Sequence, residues 1–183
     1  MRVVFIPGNG GGSTREGWFP YVEDKLKKLG VGVVVAEFPD PQLARASFWL
    51  PFLEKELKVD KETVLIGYSS GAQAAMRYAE DHQIYGSVLV APCHTDLGIT
   101  EEKLSGYYDT PWKWNDIREN QNFIIQFSST DDPFIPIEEA RYVHEKLGTI
   151  YHEFADQQHF GYPLPKLEFP EIVDVLKEKL IEK

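Results

Sequence analysis

Six short apolar runs, each followed by a longer segment of mixed character, constrain this chain more than any other feature. The runs are Val3–Ile6, Val31–Val35, Thr63–Ile66, Ser87–Val90, Phe123–Phe127 and Ile150–Phe154. They are mostly apolar and show little alternation with polar residues. A strand with one wet face alternates; a strand without alternation needs cover on both faces. The segments between them supply that cover. Phe19 to Leu29 places Phe19, Val22, Leu26 and Leu29 on one helical stripe. Leu43 to Leu57 carries a similar stripe, with Pro51 expected to kink or split it. Ala72 to Glu80, Glu138 to Leu147 and Glu171 to Ile181 complete the set. Strand alternating with helix predicts an α/β fold: a parallel six-stranded sheet with helices on both faces and right-handed crossovers. At 183 residues the chain has room for one domain, expected over 1–183.

One stretch breaks the rhythm. From Ala91 to Asn120 the chain is punctuated by Pro92, Gly98, Gly106 and Pro111 and carries Tyr107, Tyr108, Trp112 and Trp114. An aromatic excursion after a central strand is either a lid over a site or a satellite core, and the sequence leaves both open.

Charge narrows the function. Nineteen basic against 29 acidic residues leave a net charge of -10, which argues against nucleic acid and against an anionic membrane surface as partners. No run reaches the 18 or more apolar residues of a spanning helix. The first apolar run is closed at once by Pro7-Gly8, too short for a signal-peptide core. The one cysteine, Cys93, allows no intrachain disulfide and no cysteine-based zinc cluster. Together these lead to an expectation of a cytoplasmic protein.

The chemistry is concentrated at Gly67-Tyr68-Ser69-Ser70-Gly71, between a predicted strand and a predicted helix. Gly-x-Ser-x-Gly alone is a weak pattern. In this setting it is a nucleophile elbow, a strained turn that holds a serine Oγ clear of the backbone, with glycines where a Cβ would strike neighbouring chain. Ser69 is the expected nucleophile, and the Ser70 N–H faces the developing oxyanion at a helix N-terminus. Such a serine needs a base, and the base an orienting carboxylate, in the chain order Ser, acid, His. After the fifth run come Asp131 and Asp132, either of which could serve. Asp132, followed by Pro133 and an apolar pair, is favoured; Asp131 reads as a turn or cap carboxylate. After the sixth run comes His159, in a loop where the base belongs. His82, His94, His144 and His152 fall on helices, inside a strand or in the excursion.

The first turn, Pro7-Gly8-Asn9-Gly10-Gly11-Gly12, can aim a second N–H at the oxyanion, and Asn9 is the expected donor through its backbone. A dinucleotide reading of the same loop fails. Gly8 and Gly10 require a glycine at position 13, where Ser13 stands, and no helix begins before about Trp18. No cofactor and no metal are expected.

These residues resemble the small α/β-hydrolases of the retinoblastoma-binding protein 9 family, over nearly the whole chain. Beyond the elbow and the Gly-rich turn, the likeness rests on Phe38-Pro39-Asp40-Pro41, Phe48-Trp49-Leu50-Pro51-Phe52, Ala75 to Glu80, Ser105-Gly106-Tyr107 with Pro111-Trp112, Gln126 to Phe134, and His159-Phe160. It implies a compact hydrolase fold with a minimal cap, and Ser69, Asp132 and His159 as the triad. Two departures stand out. The Leu-x-Cys-x-Glu segment of some members reads Leu57-Lys58-Val59-Asp60-Lys61 here, which argues against a retinoblastoma-type partner. Tyr68 replaces a histidine common in the family and sits beside the nucleophile.

The sequence thus leads to a serine hydrolase acting on a small ester or amide, with a small-molecule acyl substrate as its partner. The alternative is a protein-binding module on the same fold with little turnover. Trp18, Trp49, Tyr108 and Trp112 are candidate pocket walls, each also a candidate core residue. Cys93 is expected to be a buried, inert thiol.

Overall fold

A computed structural model describes residues 1–181; the last two residues of the domain expected over 1–183 lie outside the described residues. Six strands form one fully parallel sheet: β1 (Arg2–Ile6), β2 (Gly32–Val34), β3 (Thr63–Tyr68), β4 (Gly86–Val90), β5 (Ile124–Ser129) and β6 (Ile150–Phe154). Their order across the sheet is β2-β1-β3-β4-β5-β6, so β3 and β4 are central. The helices are α1 (Phe19–Lys28), α2 (Ala46–Pro51), α3 (Ser70–Asp81), α4 (Thr100–Ser105), α5 (Trp114–Glu119), α6 (Ile137–Leu147) and α7 (Pro170–Leu180). Among them no helix is long and apolar enough to cross a membrane.

The unalternating runs divide strictly by parity. Val3, Phe5, Val64, Ile66, Val88 and Val90 join the core under α1 and α7. Val4, Ile6, Leu65 and Leu89 join the core under α2, α3 and α6. Strands β1, β3 and β4 lack alternation because their two faces feed two different cores.

Three expectations about elements are corrected or refined. The helix expected from Leu43 begins only at Ala46, because Ala44 has φ 51 and Asp40 ties up the Arg45 N–H and guanidinium in a turn. At Pro51 the α-helix ends and the chain passes directly into a π-helical turn over Phe52–Glu56, so the break expected there is a change of helix type at the residue that lacks an N–H. The excursion after β4, read as irregular, contains the short helices α4 and α5.

That excursion is packed down rather than poised. Tyr107 is fully buried, and Tyr108, Trp112 and Trp114 lie against the α3 core. Arg77 of α3 holds it. The guanidinium donates to the carbonyls of Tyr107 at 2.7 Å and Thr110 at 2.6 Å and pairs with Glu80 at 2.7 Å. It also lies 3.7 Å from the centroid of the Trp112 ring. The aromatic cluster is core rather than lid: it extends the buried layer under α2, α3 and α6, with Tyr107 a member of it.

Candidate active site

Strand β3 ends at Tyr68 and α3 begins at Ser70, so Ser69 alone makes the turn, at φ 53 and ψ -122. A non-glycine residue held there is strained, and strain of this kind persists only where the surroundings impose it. A Cβ at Gly67 would overlap the Gly71 carbonyl, and a Cβ at Gly71 would overlap the carbonyls of Ile6 and Pro7. The two glycines therefore let three segments of backbone close around the serine. Ser69 is further pinned by its N–H donating to Val90 O at 2.9 Å and its carbonyl accepting from Ala72 N–H at 2.7 Å.

The loops after β5 and β6 meet beside it. His159 Nδ1 lies 2.7 Å from Asp132 Oδ2. The other oxygen, Oδ1, accepts from the backbone N–H groups of Phe134 at 2.9 Å and Ile135 at 3.0 Å. With both oxygens engaged, the carboxylate cannot rotate away from the ring. A carboxylate at Nδ1 assigns that nitrogen the proton and leaves Nε2 as the acceptor. His159 is 6% exposed. Its carbonyl accepts from the Tyr68 hydroxyl at 2.6 Å, and its ring packs against Tyr68 and Phe134. Burial, reinforced by the Asp132 charge, raises the Tyr68 pKa, so the hydroxyl stays a donor. Tyr68 thereby acts as a strut under the histidine loop.

Asp131 does something else. It accepts from Ser129 Oγ–H at 2.6 Å and Gln158 N–H at 2.9 Å, and these bonds hold its carboxyl below the usual range. It braces the loop that carries His159 from the side away from the ring.

Ser69 and His159 line one cavity of about 690 Å³, together with Asn9, Glu102, Phe134 and Tyr162. No hydrogen bond joins Ser69 Oγ to the imidazole among the described residues; serine–imidazole contacts are often long until a substrate closes them. Asn9 contributes to the wall, and its N–H has no backbone acceptor among the described residues. Ser70 is buried next to Ser69 as the first residue of α3, with its N–H among those a helix N-terminus leaves unbonded.

The four aromatics considered as walls do not line this cavity. Trp18 and Trp49 are core residues, 2% and 0% exposed, and Tyr108 and Trp112 are packed against the core under α3. The cap side of the cavity comes from Leu97, Ile99, Glu101 and Glu102 instead. Glu102 and Tyr162 carry no motif, and nothing local in the sequence marks them; Phe134 stands in the segment after Asp132, where nothing in the sequence gives it a place in a pocket. Cys93 is buried, with its thiol pushed up to about 12 by burial.

Two sequence marks without a chemical role now acquire a structural one. Gly10 and Gly11 N–H groups donate to the carbonyls of Gln42 at 3.0 Å and Pro41 at 2.9 Å. The Pro39 carbonyl accepts from Trp49 Nε1–H at 2.6 Å, and the Phe38 ring meets Trp49 and Phe52 at 5.0 Å. Phe38–Pro41 and Phe48–Phe52 form a shelf that fixes the Gly-rich turn carrying Asn9.

Comparison with known proteins identifies the family and the fold. The serine hydrolase family model matches residues 3–178. The chain belongs to the serine hydrolase family. It is 45% identical over 181 residues to the serine hydrolase RBBP9 of Rattus norvegicus, covering 98% of this chain and 95% of that protein. Among solved structures, the ydeN gene product of B. subtilis superposes with a TM-score of 0.85 at 22% identity, covering 97% of this chain and 98% of that one. Est1E of Butyrivibrio proteoclasticus, solved with ferulic acid bound, gives a TM-score of 0.73 at 13% identity, covering 100% of this chain and 89% of that one. The serine hydrolase assignment and the α/β-hydrolase fold stand on these likenesses.

Proposed function

We propose that this serine hydrolase cleaves small esters or amides through an acyl-enzyme on Ser69, with His159 as base and Asp132 as its orienting carboxylate. The observation that carries the reading is the 2.7 Å contact of His159 Nδ1 with Asp132 Oδ2, on a ring that shares its cavity with Ser69. His159 Nε2 takes the proton from Ser69 Oγ as the oxygen attacks the substrate carbonyl carbon. The carbonyl electron pair moves onto oxygen, where the N–H groups of Asn9 and Ser70 receive it. Collapse expels the leaving group, which takes its proton from His159 Nε2–H and leaves an ester on Ser69. A water, deprotonated by His159, attacks that ester; the second collapse releases the acid and restores the serine.

The pocket walls favour an apolar or aromatic acyl group, with Phe134, Tyr162, Leu97 and Ile99 around it. The partner is a small-molecule acyl substrate. The lone free thiol, buried Cys93, suits a reducing, cytoplasmic setting.

Turnover of a 4-nitrophenyl ester and an aminocoumarin amide tests the reading. Ser69→Ala should lower kcat by about 10⁶-fold while binding of the product acid persists. Hydrolysis that survives Ser69→Ala overturns it. A well-folded native protein inert to a broad ester panel favours the binding-module reading instead.

A further inference from the structure

Glu102 lies on α4 between exposed Glu101 and Lys103, yet its carboxylate reaches into the cavity. Its two oxygens are taken by two different parts of the chain. Oε1 accepts from Asn9 Nδ2–H at 2.8 Å, in the turn after β1, and Oε2 accepts from the Tyr108 hydroxyl at 3.1 Å, in the connection after α4. The chain of contacts continues. The Tyr108 oxygen lies 3.1 Å from Cys93 Sγ, and the thiol reaches the Thr95 carbonyl at 3.5 Å. Beyond it the Gln73 amide of α3 lies against Cys93 and the Ser69 carbonyl. Burial raises the Glu102 pKa, while the two donors and the nearby His159 pull it back.

The place where this network ends is significant. Gly10 and Gly11, at φ 70 and 84, anchor the far side of the Gly-rich turn to Gln42 and Pro41. Among the described residues Asn9 itself is held by its side chain, and its N–H meets no acceptor. We propose that Glu102 is a positioning residue for hydrolysis: its carboxylate, shared between Asn9 and Tyr108, holds the Asn9 N–H where the oxyanion forms. The inference rests on the reading of Asn9 as an oxyanion donor. A donor displaced by about 1 Å can cost on the order of 10²-fold in rate, so a charge-assisted pair of bonds at this point governs kcat rather than affinity.

The test is a double-mutant cycle on kcat and KM for a neutral 4-nitrophenyl ester, with Ser69→Ala as the reference. Glu102→Ala should lower kcat by about 10- to 100-fold with KM changed less than about 2-fold. Asn9→Ala, which keeps the backbone N–H and removes only the tether, should do the same. The double variant should be no slower than either single one. Glu102→Gln, nearly isosteric and able to accept one of the two bonds, should recover part of the loss, and it keeps the test open if Glu102→Ala folds poorly. A kcat within about 2-fold of native for Glu102→Gln and Glu102→Ala, a change confined to KM, or losses that multiply in the double variant overturns the inference alone. Hydrolysis that does not depend on Ser69 overturns the proposed function and this inference together.

Discussion

The turn after β3 and the excursion after β4 leave adjacent central strands at the same edge of the sheet, yet different physics determines them. The β3 turn is dictated locally. Gly67 and Gly71 have backbone within overlap distance of any added Cβ, so Ser69 has one place to go. The excursion is dictated at a distance. Its Gly98 has open space around it, and its path is set by Arg77, whose guanidinium gathers the Tyr107 and Thr110 carbonyls beneath Trp112. A site can thus be built half from steric necessity and half from tertiary anchoring, and the two halves should fail differently.

After Ser69 itself, the largest expected effect lies one strand further, at the paired aspartates. Asp132→Asn should lower kcat by about 10⁴-fold, because the amide can present an N–H to Nδ1 and turn the imidazole to the wrong tautomer. Steady-state kinetics with an intact circular dichroism spectrum would check it. Gly71→Ala comes next. The added methyl meets backbone carbonyls that cannot give, so a loss above about 4 kcal/mol is expected, read as failure to accumulate folded protein. Arg77→Ala should cost about 3–5 kcal/mol, since it strands Glu80 in the core. Thermal unfolding should show a Tm lower by roughly 10 °C. Gly98→Ala, the same substitution as at Gly71 but in the excursion, should cost only about 1–2 kcal/mol for its left-handed backbone. Equal losses at Gly71 and Gly98 would break the contrast.

The smallest effect is expected at Asp131. Asp131→Asn should leave kcat within a few-fold of native. The native carboxyl is depressed in the folded state, so its contribution to stability is present above the usual aspartate range near 4 and disappears as pH falls below it. Native protein and the variant should therefore converge in stability in acid and separate at neutral pH, in denaturant titrations at two pH values.

The same division explains what could be read beforehand. The sheet was legible because apolar runs without alternation have few other uses. The elbow was legible because two glycines flanking a serine between strand and helix answer a steric demand. Asp132 and His159 follow strands in the order that such a serine needs, and the structure brings them to 2.7 Å. Glu102 and Tyr162 were not legible, and Phe134 was legible only as part of the segment around Asp132, because their place in the cavity depends on how the excursion and the loops after β5 and β6 pack. Phe38–Pro41 was visible only as a family mark. Its work, carrying the Gly-rich turn through the Pro41 carbonyl while the Pro39 carbonyl anchors Trp49, appears only once distant segments are side by side. Trp18 and Trp49 were ambiguous for the same reason, since an aromatic side chain reads alike in a wall and in a core.

The central claim is an activated Ser69, and intact mass after exposure to a fluorophosphonate tests it most directly. Native protein should gain one adduct, Ser69→Ala none, and His159→Ala should gain it far more slowly. An adduct that persists in Ser69→Ala, or native folded protein that gains none, would contradict the account.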